Sequence, residues 1–305
     1  MSNSNGAERQ TKNERRDAAR EKARLLREEQ RKKDRRTRWI VQGSVIGATL
    51  AIVAVIALVI MNSVQPPAPG PRNMLSDGIL IGEGFEAVPT EGIQPGELPV
   101  AHVRDEESDV ISIQVFLDYL CPICGVFEET NGEQIATWVE SGAATVEIFP
   151  YAILDRASQG TKYSTRSANA AACVANYSPN QFYDFNTILF ENQPEENTVG
   201  LSDDELVALT VEANVEKAPS IGQCIRDQKF KTWVADARER HGTGPVPNSN
   251  VASVTGTPTI IVNGVQYTGS LNDAAAFSAF VLQAANASFN DKASSTATPT
   301  PTPAP

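Results

Sequence analysis

The stretch "FLDYLCPICGVFEE" (residues 116–129) decides how the rest of the chain is read. It closes the run "VISIQVFL" (110–117), which is apolar, β-branched and short enough for a buried strand. It then opens a helical pattern that continues to about Ser141 and stops at Gly142. Cys121 therefore sits at a helix N-terminus, and Pro122 suits a first helical turn, where no N–H is needed. Exposed N–H groups and the positive end of the helix dipole favour a thiolate there. Cys124, about one turn later, is in reach to close a disulfide. Such a pair can be half a zinc site, a structural disulfide or a redox-active dithiol. Zinc needs two more ligands, yet Cys173 and Cys224 form no second C-x-x-C and the two histidines, His102 and His241, lack ligand spacing. No metal and no cofactor is expected.

Working outward, "AATVEIFP" (143–150) reads as a second strand and "TPTIIVNGVQYTG" (257–269) as a hairpin turning at Asn263-Gly264. Residues 163–242 have helical period with several stops. Ser202-x-x-Glu205 is a capping box opening "DDELVALTVEA", and "IGQCIRDQKFKTWVADARERH" reads as one further helix. Phe182, Tyr183, Phe185 and Phe190 have the spacing of core residues, and Phe277, Phe280, Val281 and Ala284 form the stripe of a final helix. The order strand, helix, strand, helical block, hairpin, helix defines an α/β plan: a central mixed sheet with a helical insertion at about 155–250.

Charge divides the chain. Residues 1–38 hold 14 Lys and Arg against 7 Asp and Glu, and the rest holds 12 against 30. Between these blocks lies Trp39–Met61, without a charged residue. At helical rise it spans about 35 Å, enough for a hydrocarbon core of about 30 Å. No small-x-small cleavage site follows, so an uncleaved anchor is expected. The positive-inside rule places residues 1–38 in the cytoplasm and everything after the span outside it, which puts all four cysteines in an oxidising compartment. The 1–38 segment is expected to be a solvated helix carrying acid-to-base pairs such as Glu8–Lys12 and Glu28–Lys32; it serves as a topology signal or also adheres to anionic lipid. Residues 62–75 read as a Pro-rich linker, 76–290 as the folded domain and 291–305 as a disordered Pro/Thr tail. The acidic outer part argues against nucleic acid.

A strand ending in Cys-Pro-x-Cys at a helix start, a helical insertion, then Gly256-Thr257-Pro258-Thr259 leading into a strand, resembles the DsbA-like branch of the thioredoxin superfamily, in its membrane-anchored, Gram-positive-type form. The similarity spans about residues 105–290. It implies a thioredoxin fold and a protein-disulfide oxidoreductase. Cys121 maps to the nucleophile and Cys124 to the resolving thiol. Pro258 maps to the family's cis-proline, and Thr257 to a backbone contact for the substrate strand. Implied partners are unfolded secreted or envelope proteins bearing thiols, and a membrane redox partner of the DsbB or VKOR type. Cys173 and Cys224 fall in the insertion. In an oxidising compartment they are expected to be bonded, as in similar family members; two buried free thiols are the alternative.

One departure bears on direction. Better-known members have His before the second cysteine, whereas this chain has Ile123, which cannot donate to a thiolate. Glu128 and Glu129 further down the helix would work weakly against that charge, so Cys121 is expected to be less acidic, and its disulfide less oxidising, than in a member with that His. The expectation is a dithiol that introduces disulfides. A reductase or isomerase of the same fold, and an anchored binding or chaperone module with an incidental dithiol, are the alternatives.

Overall fold

The computed structural model describes residues 12–63, 68–104 and 108–296 of the chain. It comprises two compact units, Met1–Pro66 and Pro67–Pro305.

The first unit is one helix, α1 (Lys12–Ser63). In its charged half Arg20 pairs with Asp17 at 3.8 Å and Arg24 with Glu28 at 3.5 Å, all well exposed. Each such pair contributes about 0.3 kcal/mol. Glu8, expected to pair with Lys12, lies outside the described residues. In the apolar half Trp39, Ile46, Leu50 and Ile56 all point outward, unburied by any other element. Among the described residues this is the one helix long and apolar enough to cross a membrane.

The second unit is built on a five-stranded sheet ordered β1-β3-β2-β4-β5. The strands are β1 (Ile79–Ile81), β2 (Ile111–Leu117), β3 (Ala144–Pro150), β4 (Thr259–Val262) and β5 (Val265–Gln266). β2 and β3 run parallel because α2 (Pro122–Glu140) makes the crossover between them. β4 is antiparallel to β2, with Phe116 opposite Thr259. That register sets the start of β4 beside the end of β2, where the cysteine turn begins. Asn263 and Gly264, at φ 47° and 84°, make the tight turn into β5.

Alternation along the strands makes two cores. Ile113, Val115, Leu117, Val146, Ile148, Ile260 and Val262 belong to the larger one, with Phe127, Ile135 and Val139 of α2 and Phe277 and Val281 of α8 (Ala274–Thr296). Phe116, Phe149 and Ile261 belong to the smaller one, with Tyr151, Val246, Val251 and Val254. The carboxylates buried with the second face find partners. Glu147 accepts from Ser76 at 2.6 Å and Gln114 at 3.1 Å, with His102 Nδ1 2.7 Å away. Asp77 receives a forked pair of bonds from Arg240 at 2.6 and 2.8 Å, with His241 at 3.4 Å. Both histidines are thus taken up by buried carboxylates.

Five helices form the insertion: α3 (Tyr163–Tyr177), α4 (Phe182–Glu191), α5 (Asp203–Glu212), α6 (Ala218–Arg226) and α7 (Lys231–Thr243). Ser202 Oγ accepts the Glu205 N–H at 3.2 Å while the Glu205 carboxylate accepts the Ser202 N–H at 2.7 Å, the reciprocal box that starts α5.

Three sequence expectations differ from the structure. The segment read as one helix over 221–241 breaks between α6 and α7. Gln228 turns left-handed at φ 47°, and the Phe230 N–H donates to Asn169 Oδ1 of α3 at 2.8 Å while its ring is buried. The apolar period runs straight through this break, so periodicity hides it. The linker expected over 62–75 is also shorter. The Gly70 N–H donates to the Ile93 carbonyl at 2.8 Å, Asn73 Nδ2 donates to the Ala175 carbonyl at 2.7 Å, and Met74 is fully buried. Residues 70–75 therefore pack with the sheet unit; Met74 is a single apolar anchor in a turn-rich stretch. The tail expected over 291–305 also begins later: α8 runs to Thr296, since the start of that segment carries no proline to stop the helix, and the residues beyond it lie outside the described residues.

Candidate active site

The dithiol is positioned by what happens after Leu117. The Asp118 carboxylate accepts the N–H of Leu120 at 2.9 Å and those of Ile153 and Leu154 at 2.8 and 2.9 Å. It thereby ties the turn to the loop after β3. Burial pushes the Asp118 pKa up, with these N–H bonds opposing it. Cys121 follows as the N-cap of α2, in extended backbone, and Pro122 occupies the first turn. The N–H groups of Cys124 and Gly125 both donate to the Cys121 carbonyl, at 3.0 and 3.2 Å, and so start the helix.

Thr257 and Pro258 lie across from this turn. The peptide bond between them is cis, and in its thiol form Cys121 donates to the Thr257 carbonyl at 3.4 Å. The structure thus brings Cys121, Cys124, Thr257 and Pro258 to one place. Cys121 and Cys124 are both unbonded and largely covered, whereas Ile123 between them is 53 % exposed.

The two thiols are driven apart electrostatically. The Cys121 pKa is lowered to about 6. The hydrogen bond from Cys124 is the largest cause, burial opposes it, and Thr257 and the N–H groups of Cys124 and Ile123 add to it. The buried Thr257 hydroxyl has no other hydrogen-bond partner among the described residues, so it is free to serve the thiolate. Cys124 moves the other way: burial pushes its thiol up, reinforced by the bond to Cys121 and that sulfur's negative charge. Near pH 7 the pair is therefore one thiolate and one thiol.

The site also contains residues that sequence reasoning missed. Gln193, just after α4, donates from Nε2 to the carbonyls of Tyr119 at 3.1 Å and Cys121 at 2.9 Å. The Tyr119 hydroxyl donates to Asn186 Oδ1 at 3.1 Å, and Asn186 Nδ2 donates to Glu128 at 3.2 Å. Burial pushes Glu128 up to about 7, with the Asn186 amide pulling it down, so this carboxyl is only partly charged at neutral pH. Tyr119 and Glu128 come from the cysteine turn and α2, Asn186 and Gln193 from α4 and its C-terminal end; the two groups are far apart in sequence, and no local motif flags their contact. Between the two helices runs a groove of about 1030 Å³ that reaches Pro122 and Gln193.

Away from the dithiol, Cys173 of α3 and Cys224 of α6 are bonded, with Cα atoms 5.9 Å apart.

Comparison with known proteins agrees with this layout. A thioredoxin family profile matches residues 102–282. The reduced disulfide bond oxidoreductase DsbG of Mycobacterium tuberculosis is 27% identical at a TM-score of 0.50, over 70% of this chain and 92% of its own. Oxidised DsbA of the same organism is 29% identical at a TM-score of 0.50, over 72% of this chain and 100% of its own. BdbD of Bacillus subtilis, 17% identical at 0.50 over 73% and 100%, shares the fold. Among curated proteins, the serine/threonine-protein kinase PknE of M. tuberculosis is 32% identical over 119 residues, 38% of this chain and 21% of PknE. The chain thus spans about a fifth of the curated relatives it matches. With the profile covering more than half of the chain and the solved relatives matched over nearly their whole length, the chain belongs to the thioredoxin family, among the DsbA-like thiol–disulfide oxidoreductases.

Proposed function

We propose that the chain introduces disulfides into secreted or cell-envelope proteins, with Cys121 as nucleophile and Cys124 as resolving thiol. The observation that carries this reading is the geometry of the dithiol: Cys121 caps α2 one turn before Cys124 and faces the cis Thr257–Pro258 bond, with its sulfur 3.4 Å from the Thr257 carbonyl. The hydrogen bond from Cys124, helped by Thr257 and the helix-start N–H groups, lowers its pKa to about 6 without a neighbouring histidine. At pH 7 a thiol of that pKa is about ten-to-one thiolate. A stabilised thiolate stabilises the reduced form, and a dithiol stable in its reduced form is an oxidant when it carries a disulfide. A substrate thiolate attacks Cys121 Sγ of the Cys121–Cys124 disulfide. The S–S bond breaks, a mixed disulfide forms at Cys121, and Cys124 leaves with the electron pair and takes up a proton, as its raised pKa favours. A second substrate thiolate then attacks the substrate sulfur of the mixed disulfide. Cys121 departs as a thiolate, a good leaving group at its low pKa. The substrate gains a disulfide and the chain holds the two electrons. Thr257, next to Pro258, offers its backbone to the substrate strand, and the Cys173–Cys224 bond staples the insertion.

The same reading places residues 1–38 in the cytoplasm, 39–61 in the membrane and the thioredoxin domain outside. The basic excess before the span and the oxidising conditions a disulfide needs support it. Partners are unfolded proteins with free thiols, a membrane carrier of the DsbB or VKOR type that removes the electrons, and the membrane lipid around the span; the basic segment serves as the topology signal. The test is the reduction potential of the full chain in detergent, equilibrated with glutathione. A value above about −200 mV is expected for a disulfide donor; one below about −250 mV would favour the reductase reading.

A further inference from the structure

We infer that Gln193 is a positioning residue for the dithiol: its side-chain amide, carried on the helical insertion, clamps the cysteine turn through the carbonyls of Tyr119 and Cys121 and tunes the reactivity of the Cys121 sulfur. This deepens the proposed function and rests on Cys121 as the reactive thiol.

The argument begins with the Cys121 carbonyl. Its oxygen carries partial negative charge in the same residue as the sulfur, so unscreened it works against a thiolate. Two donors, the N–H groups of Cys124 and Gly125, come from α2 itself. The third is Gln193 Nε2 at 2.9 Å, and the same nitrogen reaches the Tyr119 carbonyl at 3.1 Å. One amide thus bridges the carbonyls on either side of Leu120. It offsets charge next to the sulfur and fixes the turn that aims the N–H groups of Ile123 and Cys124 at it.

The clamp is held in place. The Gln193 N–H donates to the Phe190 carbonyl at 3.1 Å, and the Phe190 ring packs on the Tyr119 ring with centroids 5.2 Å apart. Tyr119 is tied again to α4 through Asn186. Room for the amide is made by Gly125, since a Cβ there would run into Gln193 Oε1. The glycine lies in the first turn of α2, where it costs up to about 1 kcal/mol relative to alanine. Close approach of the amide gives that cost a reason.

Two substitutions attack the clamp independently. Gln193→Met keeps the side-chain size and removes the donor. Gly125→Ala leaves Gln193 intact, pushes its amide away and favours the helix, so it keeps the test alive if the first variant folds poorly. In full chain in detergent, thiolate absorbance against pH should show the Cys121 midpoint raised by half a unit to one unit in both variants. Alkylation should be roughly 3–10-fold slower at pH 5 and unchanged at pH 9, where every form is thiolate. The disulfide should become less oxidising by the same factor, about 15–30 mV at 29.6 mV per tenfold. A folded variant with wild-type midpoint and potential overturns the clamp, as does a shift in only one of two folded variants. A wild-type potential too low for a disulfide donor would sink the oxidase reading and leave the difference between wild type and variants to judge Gln193.

Discussion

Glu128 sits two turns along α2 from Cys121, and its environment gives it a measurable signature. Its pKa, raised to about 7, lies above the ordinary 4.5, so the unfolded chain releases this proton first. The stability attached to the neutral carboxyl is full below about pH 4.5 and is lost as pH rises through 7. Glu128→Gln keeps an oxygen for the Asn186 amide and removes the charge. Urea titrations should show no change at pH 4.5 and a gain of about 1–3 kcal/mol at pH 8, discounted because the side chain is partly open to the groove. Equal effects at both pH values would mean that the carboxyl titrates normally. From sequence, Glu128 and Glu129 looked alike, two acids on one helix. The structure separates them by burial and by one amide from α4, a contact no local pattern encodes. Cys121 was legible because its acidity starts from local geometry, a strand that stops and a helix that begins. Of the non-local groups, Thr257 was legible beside Pro258 only as a backbone contact for substrate; its hydroxyl and the Gln193 amide, as donors at the cysteine turn, were not.

The helical insertion is where elements matter more than residues. It packs α3 against α6 and α7, breaks its own periodicity at Gln228, and delivers Asn186 and Gln193 to the cysteine turn. Its staple joins residues 51 apart in sequence. By loop-closure entropy a cross-link of that span contributes about 4 kcal/mol, less whatever structure the reduced chain retains. Cys173→Ala with Cys224→Ala should therefore lower the unfolding free energy by about 2–4 kcal/mol in urea. Because the insertion holds Gln193 over the turn, insulin reduction by the double variant should also weaken with rising denaturant before the sheet unfolds. Full activity up to the global transition would show that the insertion does not support the turn. The capping box of α5 was legible, since four residues specify it. The break at 227–230 was not, because its cause is Asn169, some sixty residues earlier.

At the scale of the whole molecule the argument turns on charge and apolarity rather than on packing. The N-terminal 38 residues carry an excess of seven positive charges, and the remainder an excess of eighteen negative ones, on either side of an uncharged run. That asymmetry was readable in full from the sequence, because membrane insertion responds to composition along the chain and not to tertiary contacts. The inner edge of the folded unit was less readable, since its first contacts are backbone bonds of Gly70 and Asn73. The proposed topology has a direct consequence for chemistry. In the proposed topology Cys121 lies outside the membrane, so a membrane-impermeant maleimide should label it in intact cells after mild reduction, and Cys121→Ser should abolish that labelling. A cysteine placed at Ser4 in that Cys121→Ser background should be labelled only after the cells are broken. The reverse pattern would put the dithiol in a reducing compartment, where a stabilised thiolate would no longer serve to give disulfides away.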